Sequence, residues 1–146
     1  MTALHVASAR DLANLLPGAL RTPMREPLHA ELTRGELAKA LEDADSALLV
    51  AETGGKVVGL ALAIVERHTD DLIDAPFLTV EYLETDAAFR GRGIGRALMH
   101  EVEAIAEARG ITTLELLVWS CNTAAIALYE SLGYSPLEMR MVKRLG

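Results

Sequence analysis

Between Phe77 and Arg109 the chain changes character twice, and no other stretch constrains its fold as strongly. An apolar, β-branched and aromatic run, Phe77-Leu-Thr-Val-Glu-Tyr-Leu-Glu-Thr85, gives way to Arg90-Gly-Arg-Gly-Ile-Gly-Arg96 and then to helical periodicity. That succession predicts strand, tight loop, helix. Ile94, Leu98, Val102 and Ile105 fall on one helical face, with Arg96, His100, Glu103 and Glu107 on the other, and Gly110 supplies a stop. The loop therefore sits at a true helix start. Glycines let a ligand approach the backbone, the first helical N–H groups lack partners within the helix, and the macrodipole adds partial positive charge. Arg90, Arg92 and Arg96 add full charges, so a phosphate-bearing guest is expected.

The rest of the sequence narrows the class of guest. A formal net charge of −7 disfavours nucleic acid and anionic membrane as partners, whereas a local cationic loop on an acidic chain suits a small polyanion. No apolar run approaches the ~20 residues of a membrane span, and the N-terminus lacks a secretion pattern, so a cytoplasmic protein is expected. At 146 residues and 51% hydrophobic composition, a single domain spanning 1–146 is expected. The single cysteine, Cys121, and the histidines His5, His29, His68 and His100 show no metal-ligand spacing, so no metal is expected. Trp119 and Cys121 read as packing residues at a strand end. Acids also cluster: Asp70, Asp71, Asp74, Glu81, Glu84 and Asp86 lie in a stretch without Lys or Arg. A cationic co-substrate could use that field, and a solvated turn around Asp70 and Asp71 explains part of it equally well.

Element by element, Leu4 to Val6 reads as a short strand, and Ser8 with Asp11 as a capping signal for a helix to about Leu16. Pro17 to Pro27, with three prolines, reads as irregular. Thr33 and Glu36 repeat the capping signal for a helix to about Asp43. Ser46 to Glu52 and Lys56 to Arg67 are apolar runs joined by Thr53-Gly54-Gly55, a hairpin. Beyond the long helix, Thr112 to Trp119 reads as a strand, Asn122 to Leu132 as a helix ended by Gly133, and Tyr134 to Leu145 as a last extended segment. The expected order is βααβββαβαβ. It specifies a mixed α/β (α+β) domain whose mostly antiparallel central sheet is flanked by helices, with parallel neighbours only around the long helix.

The stretch from about Phe77 to Tyr134 resembles the GNAT superfamily of N-acetyltransferases. The family's acetyl-CoA signature, Arg/Gln-x-x-Gly-x-Gly/Ala, is matched by Arg90, Gly93 and Gly95. Downstream, Asn122-Thr-Ala-Ala-Ile-Ala-Leu-Tyr129-Glu-Ser-Leu-Gly-Tyr134 resembles its Asn-x-x-Ala-x-x-x-Tyr-x-x-x-Gly-Phe/Tyr pattern. The resemblance implies an acyl-CoA N-acyltransferase fold, acetyl-CoA as co-substrate and an amine acceptor, which the acidic stretch allows to be cationic; a homodimer is compatible with it. It also implies that backbone amides of Arg90, Gly91, Arg92, Gly93, Ile94, Gly95 and Arg96 bind the CoA pyrophosphate. Leu83 and Thr85 would pair their backbone with the pantetheine arm, Asn122 would contact the cofactor, and Tyr129 would sit beside its sulfur as general acid. Residue spacing agrees: seven helical positions put Asn122 and Tyr129 on one face, about 10 Å apart. Asn122 also fits an N-cap, which is compatible with cofactor contact, and Tyr129 could instead be a core aromatic.

The chemistry asks for a base. An amine with a lysine-like pKa is only about 0.04% neutral at pH 7, and the neutral form must attack a thioester. Glu81 and Glu84 flank the loop; three positions apart, they should face opposite sides of the strand. Glu81 alternates with Leu83 and Thr85, and family members with a glutamate at this strand position often use it as base, so Glu81 is preferred and Glu84 held in reserve. With no nucleophile positioned for an acyl-enzyme, direct transfer in a ternary complex follows. The alternative is a non-catalytic acyl-CoA binding or regulatory module. A dinucleotide enzyme lacks support, because Gly91-x-Gly93-x-Gly95 misses the Gly-x-Gly-x-x-Gly register.

Overall fold

A computed structural model describes residues 1–18, 24–68, 73–143 and 145. Its order is α1 (Thr2–Leu15), α2 (Glu26–Glu42), β1 (Ser46–Thr53), β2 (Lys56–Glu66), β3 (Phe77–Thr85), a 3₁₀ turn (Ala87–Phe89), α3 (Ile94–Ala108), β4 (Leu114–Leu116) and α4 (Thr123–Ser131). The strands form one sheet in the order β1-β2-β3-β4, with β1/β2 and β2/β3 antiparallel and β3/β4 parallel across α3. This is the mixed, mostly antiparallel sheet flanked by helices that the sequence leads one to expect. Ala61, Ala63, Val65, Leu78, Val80, Leu98, Met99, Val102, Ala106 and Ile111 form the core cluster, with α3 laid on the sheet.

The contact between α3 and the sheet is close because β2 carries a glycine where they meet. A Cβ on Gly59 would lie 2.6 Å from Ile94 Cγ2 and 3.1 Å from Leu98 Cδ1. Leu98, Met99, Val102 and Ala106 of α3 are thus buried, with Ile94 and Ile105 half-buried, and the helix start is brought beside the end of β3. Gly59 pairs with Thr85, which fixes that end.

Several local expectations are corrected. Leu4 to Val6 is helical, because the first turn of α1 closes on Met1 and buries His5 against β3; a three-residue strand would have had no such packing. Ser8 and Asp11 lie inside that helix and do not cap it. Thr33 is also mid-helix and returns its hydroxyl to the His29 carbonyl at 2.8 Å, while Pro27 sits in the first turn of α2, where a missing N–H costs nothing. The strand expected over 112–119 contracts to Leu114–Leu116, the length that pairs with β3. Trp119, expected to pack, is 57% exposed. Among the described residues after Gly133 no strand forms. Residues 19–23 of the proline-rich segment, and Asp70 and Asp71 of the acidic stretch, lie outside the described residues.

Candidate active site

The site is built around the end of β3. Its pairing with β4 stops at Val80↔Leu116, so from Glu81 to Thr85 no strand pairs with that edge among the described residues. The edge is a row of backbone donors and acceptors able to take an extended ligand as an added strand. Four strand steps make it about 13 Å long.

At one end of this edge lies the loop 90–96. Gly91 and Gly93 adopt left-handed conformations, φ 73° and 82°, and Gly93 is the N-cap of α3. A Cβ at either would meet nothing within 4 Å, so there is open space beside the backbone there. The first α3 bond is Ala97 N to Gly93 O at 2.9 Å, which leaves the amides of Ile94, Gly95 and Arg96 without intrahelical partners. Gly95 is closed in instead: a Cβ would lie 3.3 Å from Leu128 Cδ2 on α4 and 3.8 Å from Thr85 Oγ1. The cradle is thus pinned to both the strand and α4. The three arginines are exposed and each has a protein contact. Arg90 donates to Thr85 O at 3.2 Å and pairs with Asp11 Oδ2 at 2.7 Å; Arg92 stacks over Phe89, 5.0 Å from the ring centre; Arg96 reaches Ser131 Oγ at 2.7 Å. Arg90 therefore shares its charge with α1, and the backbone amides are the freest donors of the loop.

At the other end, β3 carries a bulge. Leu62 pairs with Tyr82 and Ala63 with Val80, so Glu81 is the extra residue. The bulge shifts the alternation. Leu78, Val80 and Leu83 pack under α3, whereas Tyr82 and Glu84 turn toward α1 and α2. The expectation that Glu81 shares a face with Leu83 and Thr85 is corrected, because period-two alternation fails at a bulge. Glu81 instead lines a pocket of about 310 Å³ with Glu36, Lys39, Asp43, Ser46 and Tyr82, on the α2 side of the sheet. The residue is exposed, yet partial desolvation, and then the charges of Glu66, Glu36 and Glu115, push its carboxyl above the usual carboxylate range.

Glu84 is placed differently. Its Oε1 accepts a 2.5 Å hydrogen bond from His5 Nδ1, the two side chains being only 9% exposed, so it is engaged with α1. Asp86 is likewise engaged, with Lys56 Nζ at 2.7 Å and Ala88 N at 2.9 Å, which hold its carboxyl below the usual range. The acidic stretch is therefore divided, and the acids that join Glu81 are Glu36 of α2 and Asp43 at its C-cap. The sequence did not reveal Glu36, Asp43 or Tyr82 as a site; the i, i+7 spacing of Glu36 on α2 and Asp43 at its C-cap was the available signal.

On α4, Asn122 Oδ1 accepts from Ala125 N at 3.3 Å as the N-cap, leaving its amide N–H groups for other use. Tyr129 packs against the core cluster, its ring centre 5.9 Å from that of Tyr134. Burial pushes its phenol above the ordinary value, so it stays protonated at neutral pH. Among the described residues no three His, Cys, Asp or Glu side chains converge as metal ligands.

A family model described as the acetyltransferase (GNAT) family matches residues 12–134. An acetyltransferase of Pectobacterium atrosepticum is 32% identical over 111 residues, which span 75% of this chain and 73% of that protein. Among solved structures, a Bacillus halodurans protein crystallised as a point mutant aligns with TM-score 0.83 at 20% identity, over 99% of this chain and 90% of the other. The aminoglycoside N-acetyltransferase AAC(6')-Iy in complex with CoA aligns with TM-score 0.68 at 22% identity, over 82% of this chain and 89% of that one. At those identities the two structures speak for the fold.

Proposed function

The chain belongs to the GNAT family of acetyltransferases and is an acyltransferase; from that premise we propose that it transfers the acetyl group of acetyl-CoA to a cationic amine, by direct attack in a ternary complex. One observation carries the reading: an open amide cradle, an unpaired strand edge and an acidic pocket follow one another along β3. The cradle suits the pyrophosphate, with amides of Gly91 to Arg96 as donors and Arg90, Arg92 and Arg96 around them. The edge at Leu83 and Thr85 suits the pantetheine amides, and Asn122 can donate to the same arm. The CoA bound by AAC(6')-Iy supports the same co-substrate here.

The protein's part in the reaction then follows from two groups. The substrate ammonium enters the pocket of Glu36, Asp43 and Glu81, whose charges outweigh Lys39. Glu81 takes one proton from it, directly or through water. The upward shift of this carboxyl makes it a stronger base than an ordinary carboxylate. The neutral nitrogen attacks the thioester carbon, the C–N bond forms and the C–S bond breaks. Tyr129 gives its phenolic proton to the departing thiolate, which is thiol-like with a pKa of about 8.5 and needs little help, and the nitrogen, which after attack carries one proton too many for an amide, releases it through solvent to restore the phenol. Placement of the two substrates supplies most of the acceleration.

Calorimetry with acetyl-CoA, followed by thiol release across a panel of mono- and diamines, tests this. Micromolar binding and release with diamines in preference to neutral-tailed amines are expected. Absence of binding at roughly 1 mM acetyl-CoA rules the reading out. Binding without release on any amine establishes a binding module instead.

A further inference from the structure

Behind the edge of β3, on the α1/α2 side, four side chains from three elements touch in series. Glu84 of β3 holds His5 of α1 at Nδ1, 2.5 Å away. The His5 ring lies against the Tyr82 ring, centroids 4.3 Å apart, with His29 of α2 stacked on it at 4.9 Å and an interplanar angle of 20°. The Tyr82 hydroxyl donates to Glu36 of α2, and Tyr82 and Glu36 both line the acidic pocket. His5 itself does not line that pocket. Glu84 sits between Leu83 and Thr85, the residues whose open backbone edge faces the cofactor side.

We propose that His5 is a positioning residue for the acceptor pocket: anchored by Glu84, it sets the Tyr82 ring, and Tyr82 in turn sets the Glu36 carboxylate at the pocket wall. This rests on the reading of that pocket as the acceptor site. Three features favour positioning over simple packing. A buried histidine fixed at one nitrogen by a buried carboxylate has its ring orientation specified, which an apolar residue would not provide. The ring is in contact with both Tyr82 and His29, so its placement is transmitted to Tyr82. Glu36 is on α2 and Glu81 on β3, so the distance between the two pocket acids depends on how α2 is held to the strand. The Tyr82 hydrogen bond is the direct link between them.

The decisive experiment compares wild type, His5→Phe, Tyr82→Phe and the double variant in thiol-release kinetics with the best diamine of the panel, alongside acetyl-CoA calorimetry and thermal melting. Both single variants are expected to raise the acceptor KM by about 5- to 50-fold, with kcat changed by less than about threefold and acetyl-CoA affinity unchanged. The double variant should be no worse than the more severe single, since both cut one series. His5→Asn, which keeps an N–H for Glu84 without the ring, should not restore the acceptor KM. If His5→Phe fails to fold because Glu84 loses its partner, Tyr82→Phe decides alone, as it keeps the ring against His5 and cuts only the link to Glu36. An unchanged acceptor KM in Tyr82→Phe overturns the proposal, as does a parallel loss of kcat, acceptor KM and acetyl-CoA affinity with the melting temperature. A wild type that releases no thiol on any amine fails the acceptor reading itself, a result separate from an active wild type indifferent to these variants.

Discussion

The residues assigned to proton transfer differ in how much the sequence could say about them. Tyr129 was readable from its spacing to Asn122, because helical geometry is regular enough to place two side chains seven positions apart. Its hydroxyl makes no hydrogen bond among the described residues and its ring fills the core edge, so Tyr129→Phe removes a donor and little packing. We expect kcat to fall by about 10- to 1000-fold with acetyl-CoA affinity nearly unchanged, measured by steady-state kinetics beside calorimetry. Wild-type turnover in that variant, with chemistry limiting, would make Tyr129 a core aromatic. The two glutamates were distinguished in the sequence by strand alternation, and the bulge at Glu81 undid that argument. Their surroundings now distinguish them: Glu81 lines an acidic pocket and has no hydrogen-bond partner among the described residues, and Glu84 is held by His5. Glu81→Gln should lose about 10- to 100-fold at neutral pH and recover partly at high pH, where the amine deprotonates unaided. In the wild type the base must be ionised, so activity should decline as pH falls through the raised pKa of Glu81. Glu84→Gln should keep the wild-type pH profile and melt at lower temperature. The reverse assignment of these two profiles would move the base to Glu84.

Among the elements, the hairpin, α3 and α4 were legible because glycines end their patterned runs, and β3 because its apolar, β-branched and aromatic run is long. α1 was not, since His5 sits in its first turn through contacts with β3 that no local pattern announces. Bulges and burial against distant residues are outcomes of pairing, and a single chain shows them only once folded. The junction of β2, β3 and α3 makes two further expectations specific. Gly59→Ala places a methyl 2.6 Å from Ile94 Cγ2, so the helix must lift at the point where it delivers the cradle. A loss of about 1–3 kcal/mol is expected, read from denaturant midpoints, together with weaker acetyl-CoA binding. Unchanged stability would show that α3 can shift freely. In the loop itself, Gly93→Asp places a side chain at a left-handed φ that it resists and a negative charge in the proposed anion cradle. Calorimetry should show acetyl-CoA affinity reduced by at least about tenfold, and an undiminished affinity would displace the phosphate site from this loop.

For the whole molecule, the three tyrosines of the chain are all drawn into the fold, and together they make stability sensitive to alkali. Tyr82 joins β3 to α2, Tyr129 packs α4 on the core, and Tyr134 buries a hydroxyl that has no partner among the described residues. Burial raises all three phenols above their ordinary value, that of Tyr134 to about 12, with Glu103 and Tyr129 adding to it and Glu36 adding at Tyr82. The sign follows from linkage: a folded pKa above the unfolded one means that the native state holds its protons longer. The stabilisation is therefore complete below the unfolded phenol value of about 10 and is lost as pH rises through the folded values. Melting temperature should be flat with respect to these groups up to about pH 9 and fall between about pH 10 and 12. Phenolate absorbance should titrate above pH 10 in the native protein and near 10 in denaturant. Lysines also titrate in that range, so the comparison that isolates the tyrosines is with Tyr134→Phe. That variant discards a buried hydroxyl without a partner among the described residues, so it should melt at or above the wild-type temperature at pH 8 and lose less between pH 10 and 12. A decline identical to wild type would show that the Tyr134 phenol ionises equally well in the folded and unfolded chain, and the burial assigned to it would then be wrong.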